Sequence, residues 1–151
     1  IKTKNYQVFK NARGAHFITF FVGVYTVSEQ SLCYINAGHN PPILVDGLGR
    51  SKLLKDGTMV LGAFEELPFL NLGRLSIKPK DLLFLYTDGV TEVFNPAEEE
   101  FGEEALETFL STQNGDVELS QIIERLVNRL DEHRQGISFS DDLTTLLMKW
   151  N

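Results

Sequence analysis

A single cysteine, Cys33, stands in the 151 residues. One thiol forms no disulfide within the chain and no cysteine-based metal site, and it fits a reducing cytoplasm. Basic residues are also scarce: 14 Lys and Arg against 21 Asp and Glu leave a formal net charge of -7. That balance lacks the positive footprint that nucleic-acid phosphates demand, and it equally disfavours an anionic membrane surface. No apolar run reaches the length of a membrane span, and no secretory signal pattern opens the chain. Gly-x-Ser-x-Gly, phosphate-cradling and dinucleotide-binding loops are missing, as are internal repeats and low-complexity tracts. With 42% hydrophobic and 23% charged residues, what remains is one ordinary globular domain with a substantial core. Its 11 phenylalanines make that core aromatic-rich.

The stretch with most chemical content is Leu82-Leu83-Phe84-Leu85-Tyr86-Thr87, a short apolar run of β-forming residues ended by Asp88-Gly89. A strand that ends this way lifts a carboxylate out of the core, and glycine lets the backbone turn away. Metal and phosphate sites are built so on rigid elements. Taken alone, the stretch equally reads as a strand followed by an Asp-Gly turn, which is the commoner arrangement.

Around it the chain reads mainly as strands. Residues 17–27 are rich in Phe, Val, Ile, Thr and Tyr, with both faces apolar, so this strand is expected to be covered on both sides. Residues 32–37 return from a polar turn as the second arm of an antiparallel hairpin. Gly38-His39-Asn40-Pro41-Pro42 then forces a rigid turn. Residues 43–45 and 51–55 are short strands about an Asp46-Gly47-Leu48-Gly49 turn, so 17–55 reads as a meander of hairpins. Residues 57–69 are loop-like, 72–77 alternate as a strand, and Lys78-Pro79-Lys80-Asp81 turns into the Asp88 strand. Residues 101–110 carry apolar side chains at helical spacing. A second helix follows, with Asp116 as its N-cap and a stripe of Leu119, Ile122, Ile123, Leu126, Val127 and Leu130. Residues 143–150 form a closing strand. Residues 1–13, polar and basic, read as a frayed helix end or a linker; a solvated lead-in extending to about residue 15 is the preferred reading. Strands, then two helices, then a returning strand predict an α+β fold with an antiparallel sheet system and helices on one face. The doubly apolar strands imply a second layer on the other face.

A second acidic feature is Ser140-Asp141-Asp142-Leu143-Thr144, adjacent carboxylates just before the closing strand. Were the two strands antiparallel neighbours, these acids would meet Asp88 at one sheet edge. Converging carboxylates repel unless a cation neutralises them. With oxygen ligands alone, the fitting ions are Mg²⁺ and Mn²⁺. By itself, Asp141-Asp142 reads as a solvated loop. His39 suggests a general acid or base, but a turn histidine bonded to nearby backbone is the preferred reading. His16 and His133 have no partner at ligand spacing. Glu98-Glu99-Glu100 with Glu103-Glu104 suits a helix start, and it lacks the alternating ligands of a calcium loop.

Four segments in this order carry a resemblance: Phe17-Ile18-Thr19, Ala37-Gly38-His39-Asn40-Pro41-Pro42, Leu85-Tyr86-Thr87-Asp88-Gly89-Val90-Thr91-Glu92 and Asp141-Asp142-Leu143-Thr144, with Phe101-Gly102 opening a helix. Together they resemble the stage II sporulation protein E branch of the metal-dependent serine/threonine protein phosphatases (the PPM, or type 2C, family), from about Phe17 to Trp150. The resemblance implies an antiparallel β-sandwich with helices packed outside, in α-β-β-α layers, here incomplete at its N-terminal side. It implies a Mn²⁺ or Mg²⁺ pair whose bridging water attacks a phosphoryl group, so that no side-chain nucleophile is needed. Asp88 and Asp141 match metal-ligating aspartates. Gly89 and Asp142 support them, and Gly38, His39, Asn40 and Pro41 form a structural turn near the site. The implied substrate is phosphoserine on a cytoplasmic signalling protein such as an anti-anti-sigma-factor domain.

Two departures bear on this. The family's earlier half carries an acidic residue and an Asp-Gly motif that complete the metal site, whereas the sixteen residues before Phe17 contain no Asp or Glu. The chain therefore reads as the C-terminal portion of such a domain, inactive and prone to self-association when alone. Lys80 also stands where the family usually has glycine. The rival reading is a non-catalytic regulatory or protein-binding module on the same fold. A calcium module using the Glu98 to Glu104 cluster ranks third.

Overall fold

The computed structural model describes residues 1–12, 16–113 and 117–151. In chain order the elements are α1 (Lys2–Ala12), β1 (Phe20–Thr26), β2 (Ser31–Ala37), β3 (Ile43–Val45), β4 (Ser51–Leu53), β5 (Gly57–Thr58), β6 (Gly73–Ser76), β7 (Leu82–Tyr86), α2 (Gly102–Ser111), α3 (Leu119–Arg134) and β8 (Thr145–Lys149). They fall into two compact units, Ile1–Pro41 with Leu54–Ile77, and Pro42–Leu53 with Lys78–Asn151. No helix among the described residues is long and apolar enough to cross a membrane.

In the first unit β2 is the central strand. It pairs antiparallel with β1 from Phe20↔Ala37 to Thr26↔Ser31. It also pairs antiparallel with β6 and parallel with β5 at Asn36 and Ala37. Buried Tyr34 anchors this sheet. Its ring stacks on Phe21 with centroids 5.7 Å apart, and its hydroxyl donates to Asp56 Oδ2 at 2.8 Å. Burial, followed by that bond, pushes the phenol up to about 12.

Three expectations are corrected in this unit. The β1 strand is not covered on both sides: Val24 is 62% exposed and Phe20 39%. It is an outer strand whose ladder partner is β2, and apolar residues on two faces do not supply their own cover. Residues 17–55 are not one meander either. The chain leaves this sheet after β2, and β3 with β4 belongs to the other one. Two successive prolines, Pro41 and Pro42, have no N–H to continue a ladder. Finally, Lys2–Ala12 is a helix where a solvated lead-in is expected. Its one buried residue is Asn5. Asn5 Nδ2 donates to the carbonyls of Phe64 and Glu65 at 2.9 and 3.0 Å, and Asn5 Oδ1 accepts from Gly62 N at 2.9 Å. An anchor of this kind leaves no apolar periodicity to read.

In the second unit the strand order is β4-β3-β7-β8, antiparallel throughout. Period-2 alternation puts Ile43, Val45, Leu82, Phe84 and Tyr86 on one face. Helical spacing puts Leu106, Leu110, Ile122, Leu126 and Leu130 opposite them in one buried cluster. Val127, assigned to the same stripe, is 40% exposed. The expected N-cap Asp116 lies outside the described residues; α3 begins after Glu118. In the turn before β7, Lys78 N donates to Asp81 Oδ2 at 2.8 Å. Lys80 adopts a left-handed φ of 72°, which glycine takes without strain. The predicted α+β class stands, with mainly antiparallel sheets and, in the second unit, a helix pair on one sheet face.

Candidate metal centre

The site begins with why β7 is rigid. Leu82, Phe84 and Tyr86 are locked into the core beneath α2 and α3. Tyr86 also donates from its hydroxyl to Glu103 Oε1 on α2 at 3.2 Å. Burial, followed by the Glu103 charge, pushes that phenol well above its ordinary value. The strand stops at Tyr86, and Asp88–Val90 forms a tight 3-10 turn. The Asp88 carbonyl accepts from Thr91 N at 2.9 Å and Glu92 N at 2.8 Å, and from Thr91 Oγ1 at 3.1 Å. Val90 and Val93 are buried and pin the turn from below. The Asp88 side chain is left exposed, with Oδ1 accepting from Gly89 N at 3.1 Å.

The acidic segment before β8 lies directly alongside. The strands β7 and β8 are antiparallel neighbours, with Tyr86 opposite Thr145. Beyond that pair the contact continues. Thr87 N donates to Thr144 O at 3.1 Å, and Thr144 N donates to Thr87 Oγ1 at 3.2 Å. Thr87 Oγ1 donates in turn to Asp142 O at 3.2 Å. One turn on, Ser140 Oγ donates to Glu92 O at 2.9 Å. The Asp141 carboxylate accepts from Asp142 N at 2.7 Å.

Gly89 belongs to this contact for a reason other than the expected one. It does not occupy the left-handed region. A Cβ placed there would lie 2.5 Å from Asp142 O. The residue is glycine because the two segments approach closely, and Asp142 joins the site through its backbone as well as its charge.

The Asp88-Gly89 turn and the Asp141-Asp142 segment therefore lie against each other in the second unit, whereas Gly38, His39, Asn40 and Pro41 belong to the first. Gly38 needs its identity: its φ is 71°, and a Cβ would lie 2.3 Å from Val60 Cγ1. His39 has its Nδ1 3.0 Å from the Asn40 carbonyl. Asn36 is the residue that sequence reasoning missed. Buried at the end of β2, it donates to the His39 carbonyl at 2.9 Å and accepts from His39 N at 2.8 Å. Thr87 and Ser140 were missed too. All three are short polar side chains beside a motif, a pattern too common to single out.

The remaining acidic cluster serves the fold locally. Asn95 Oδ1 accepts from Ala97 N and Glu99 N at 2.9 and 3.0 Å, closing a small turn around Glu98. His133 reaches back to the Glu99 carbonyl at 3.1 Å. An open cleft of about 690 Å³ beside α2, lined by Phe101, Glu103, Glu104, Thr108, Phe109 and Arg129, does not include Asp88 or Asp141.

The donor chemistry at Asp88 and Asp141 suits a hard divalent cation: exposed carboxylates, oxygen ligands only, no thiolate or imidazole. The ion pairs Asp46–Arg50, Arg129–Glu132 and Asp131–Arg134 lie elsewhere. Among the described residues no group of three or more His, Cys, Asp or Glu gathers as a metal-holding cluster.

Comparisons with known proteins agree with this topology. Protein IcfG of Synechocystis sp. is 33% identical over 150 residues, covering 99% of this chain and 23% of that protein. Phosphoserine phosphatase RsbP of Bacillus subtilis is 34% identical over 88 residues, 58% of this chain and 22% of that one. The chain thus spans under a quarter of either relative. The solved SiaA-PP2C domain of Pseudomonas aeruginosa superposes with a TM-score of 0.81 at 17% identity, covering 97% of this chain and 58% of that one; at that identity the likeness concerns the fold. The sequence model described as Stage II sporulation protein E (SpoIIE) matches residues 1–151. With its whole length matched, the chain belongs to the stage II sporulation protein E family.

Proposed function

We propose that this chain is the C-terminal portion of a PPM-type phosphatase domain and supplies one side of a Mn²⁺ or Mg²⁺ centre that hydrolyses phosphoserine or phosphothreonine on a protein. The observation that carries the reading is the antiparallel pairing of β7 and β8, which lays the Asp88 turn against the Asp141-Asp142 segment. Family membership and the phosphoserine phosphatase among the relatives support the reaction class.

When bound, the divalent ions supply an acidified water for attack on phosphorus and positive charge for the developing phosphoryl oxygens. The chain's own residues do the holding. Asp88 and Asp141 would be the ligands. Gly89 lets their loops approach, and the core beneath β7 keeps Asp88 from recoiling. The acid-base work needs no histidine, and His39 is a turn residue. The substrate is a phosphorylated signalling protein in the cytoplasm, of the anti-anti-sigma-factor kind.

The test is phosphatase activity of the full-length protein on a phosphoserine protein with Mn²⁺. Asp88→Asn and Asp141→Asn each lower it by about 100-fold or more; full activity in both variants overturns the assignment and favours the binding-module reading.

A further inference from the structure

We propose that Thr87 and Ser140 are positioning residues, two hydroxyls that set the separation of the Asp88 and Asp141 carboxylates; this rests on the metal-centre reading above. Two carboxylates on adjacent loops repel each other. Bonds between neutral groups on the two loops oppose that repulsion and fix how far apart the loops stand. The backbone ladder cannot do all of it, because β7 ends at Tyr86 and β8 begins at Thr145, short of both acids.

The Thr87 hydroxyl fills that gap. It accepts from Thr144 N and donates to Asp142 O, both at 3.2 Å, so both of its hydrogen-bonding directions are spent on the opposite segment. One bond lands on the residue after Asp141, and the hydroxyl itself belongs to the residue before Asp88. Ser140 mirrors this on the far side. Its hydroxyl precedes Asp141 and reaches the Glu92 carbonyl at 2.9 Å, at the end of the turn that Asp88 opens. The two aspartates are thus bracketed by one hydroxyl on each side.

Solvent access decides what the bonds are for. Asp142, Thr144 and Ser140 are exposed and Thr87 is half-buried. Water replaces each lost bond, so deleting a hydroxyl leaves little desolvated and unsatisfied. What water does not replace is the fixed spacing. Outer groups that orient metal ligands typically change affinity about 10- to 100-fold when removed.

The experiment measures Mn²⁺ affinity of the full-length protein by calorimetry, with thermal midpoint alongside. Thr87→Val, close to isosteric, weakens Mn²⁺ about tenfold with little change in midpoint, whereas Thr87→Ser, which keeps the hydroxyl, restores affinity to within about twofold. Ser140→Ala weakens it independently, and carries the test should Thr87→Val fold poorly. Asp88→Asn is the reference. If Asp88→Asn loses Mn²⁺ while Thr87→Val and Ser140→Ala bind like the parent, the inference is overturned and the metal-centre reading survives. If Asp88→Asn binds normally, both fall.

Discussion

Gly89 shows how much one missing methyl decides. A Cβ there would press on the Asp142 carbonyl at 2.5 Å, and a backbone oxygen tied to Thr87 cannot swing aside. Gly89→Ala is expected to cost about 2 kcal/mol, in the range of overpacking, and to weaken cation binding; urea unfolding with a Mn²⁺ titration checks both. Tyr34 makes a residue-scale statement about pH. Its proton is held up to about 12 against an ordinary value of 10. Between those values the native state binds more protons than the unfolded chain, so stability falls as pH rises through this window and is fully present below it. Tyr86, also pushed up by burial, acts in the same direction. Tyr34→Phe should therefore show a shallower loss of stability between pH 10 and 12, measured by denaturant midpoints across the range.

Among the elements, what was legible is what is carried by apolar rhythm. The helix pair and β7 follow from periodicity because their side chains are sorted by burial in one core, and the hairpin of β1 and β2 follows from β-forming residues either side of a polar turn. The approach of the Asp88 turn to the segment before β8 was legible from strand order: a strand end and a strand start meet once the two strands are antiparallel. Helix α1 was not legible. Its buried residue is Asn5, and an asparagine in a basic stretch signals nothing by itself. The exchange of the chain between two sheets at Pro41-Pro42 was equally hidden, since prolines announce a stop and not a destination. Asn5→Ala, which strips three bonds from a buried site, is expected to cost about 2 kcal/mol and to raise amide exchange in α1 and around Gly62. Unchanged exchange would contradict the anchoring role.

For the whole molecule, the exposed apolar residues of the β1 region matter most. Phe17, Ile18 and Val24 are 65%, 50% and 62% exposed. Exposed apolar side chains along an outer strand invite association. The isolated chain is expected to self-associate, with sedimentation rising with concentration; a monomer at all concentrations would count against it. The double-faced apolar pattern of β1 made its strand character plain from sequence, but a pattern records that a face tends to be covered and never says by what.

The position of β8 has a further meaning. It is an outer strand of its sheet, held along one side by β7, and Asp141 rides on the approach to it. A cation shared between Asp88 and Asp141 would join the two strands as a removable cross-link. Ligation and strand docking would then be two readings of one equilibrium, linked by RT ln(1 + [L]/Kd). Starving the protein of metal would loosen its sheet margin, and peeling the margin would release the metal.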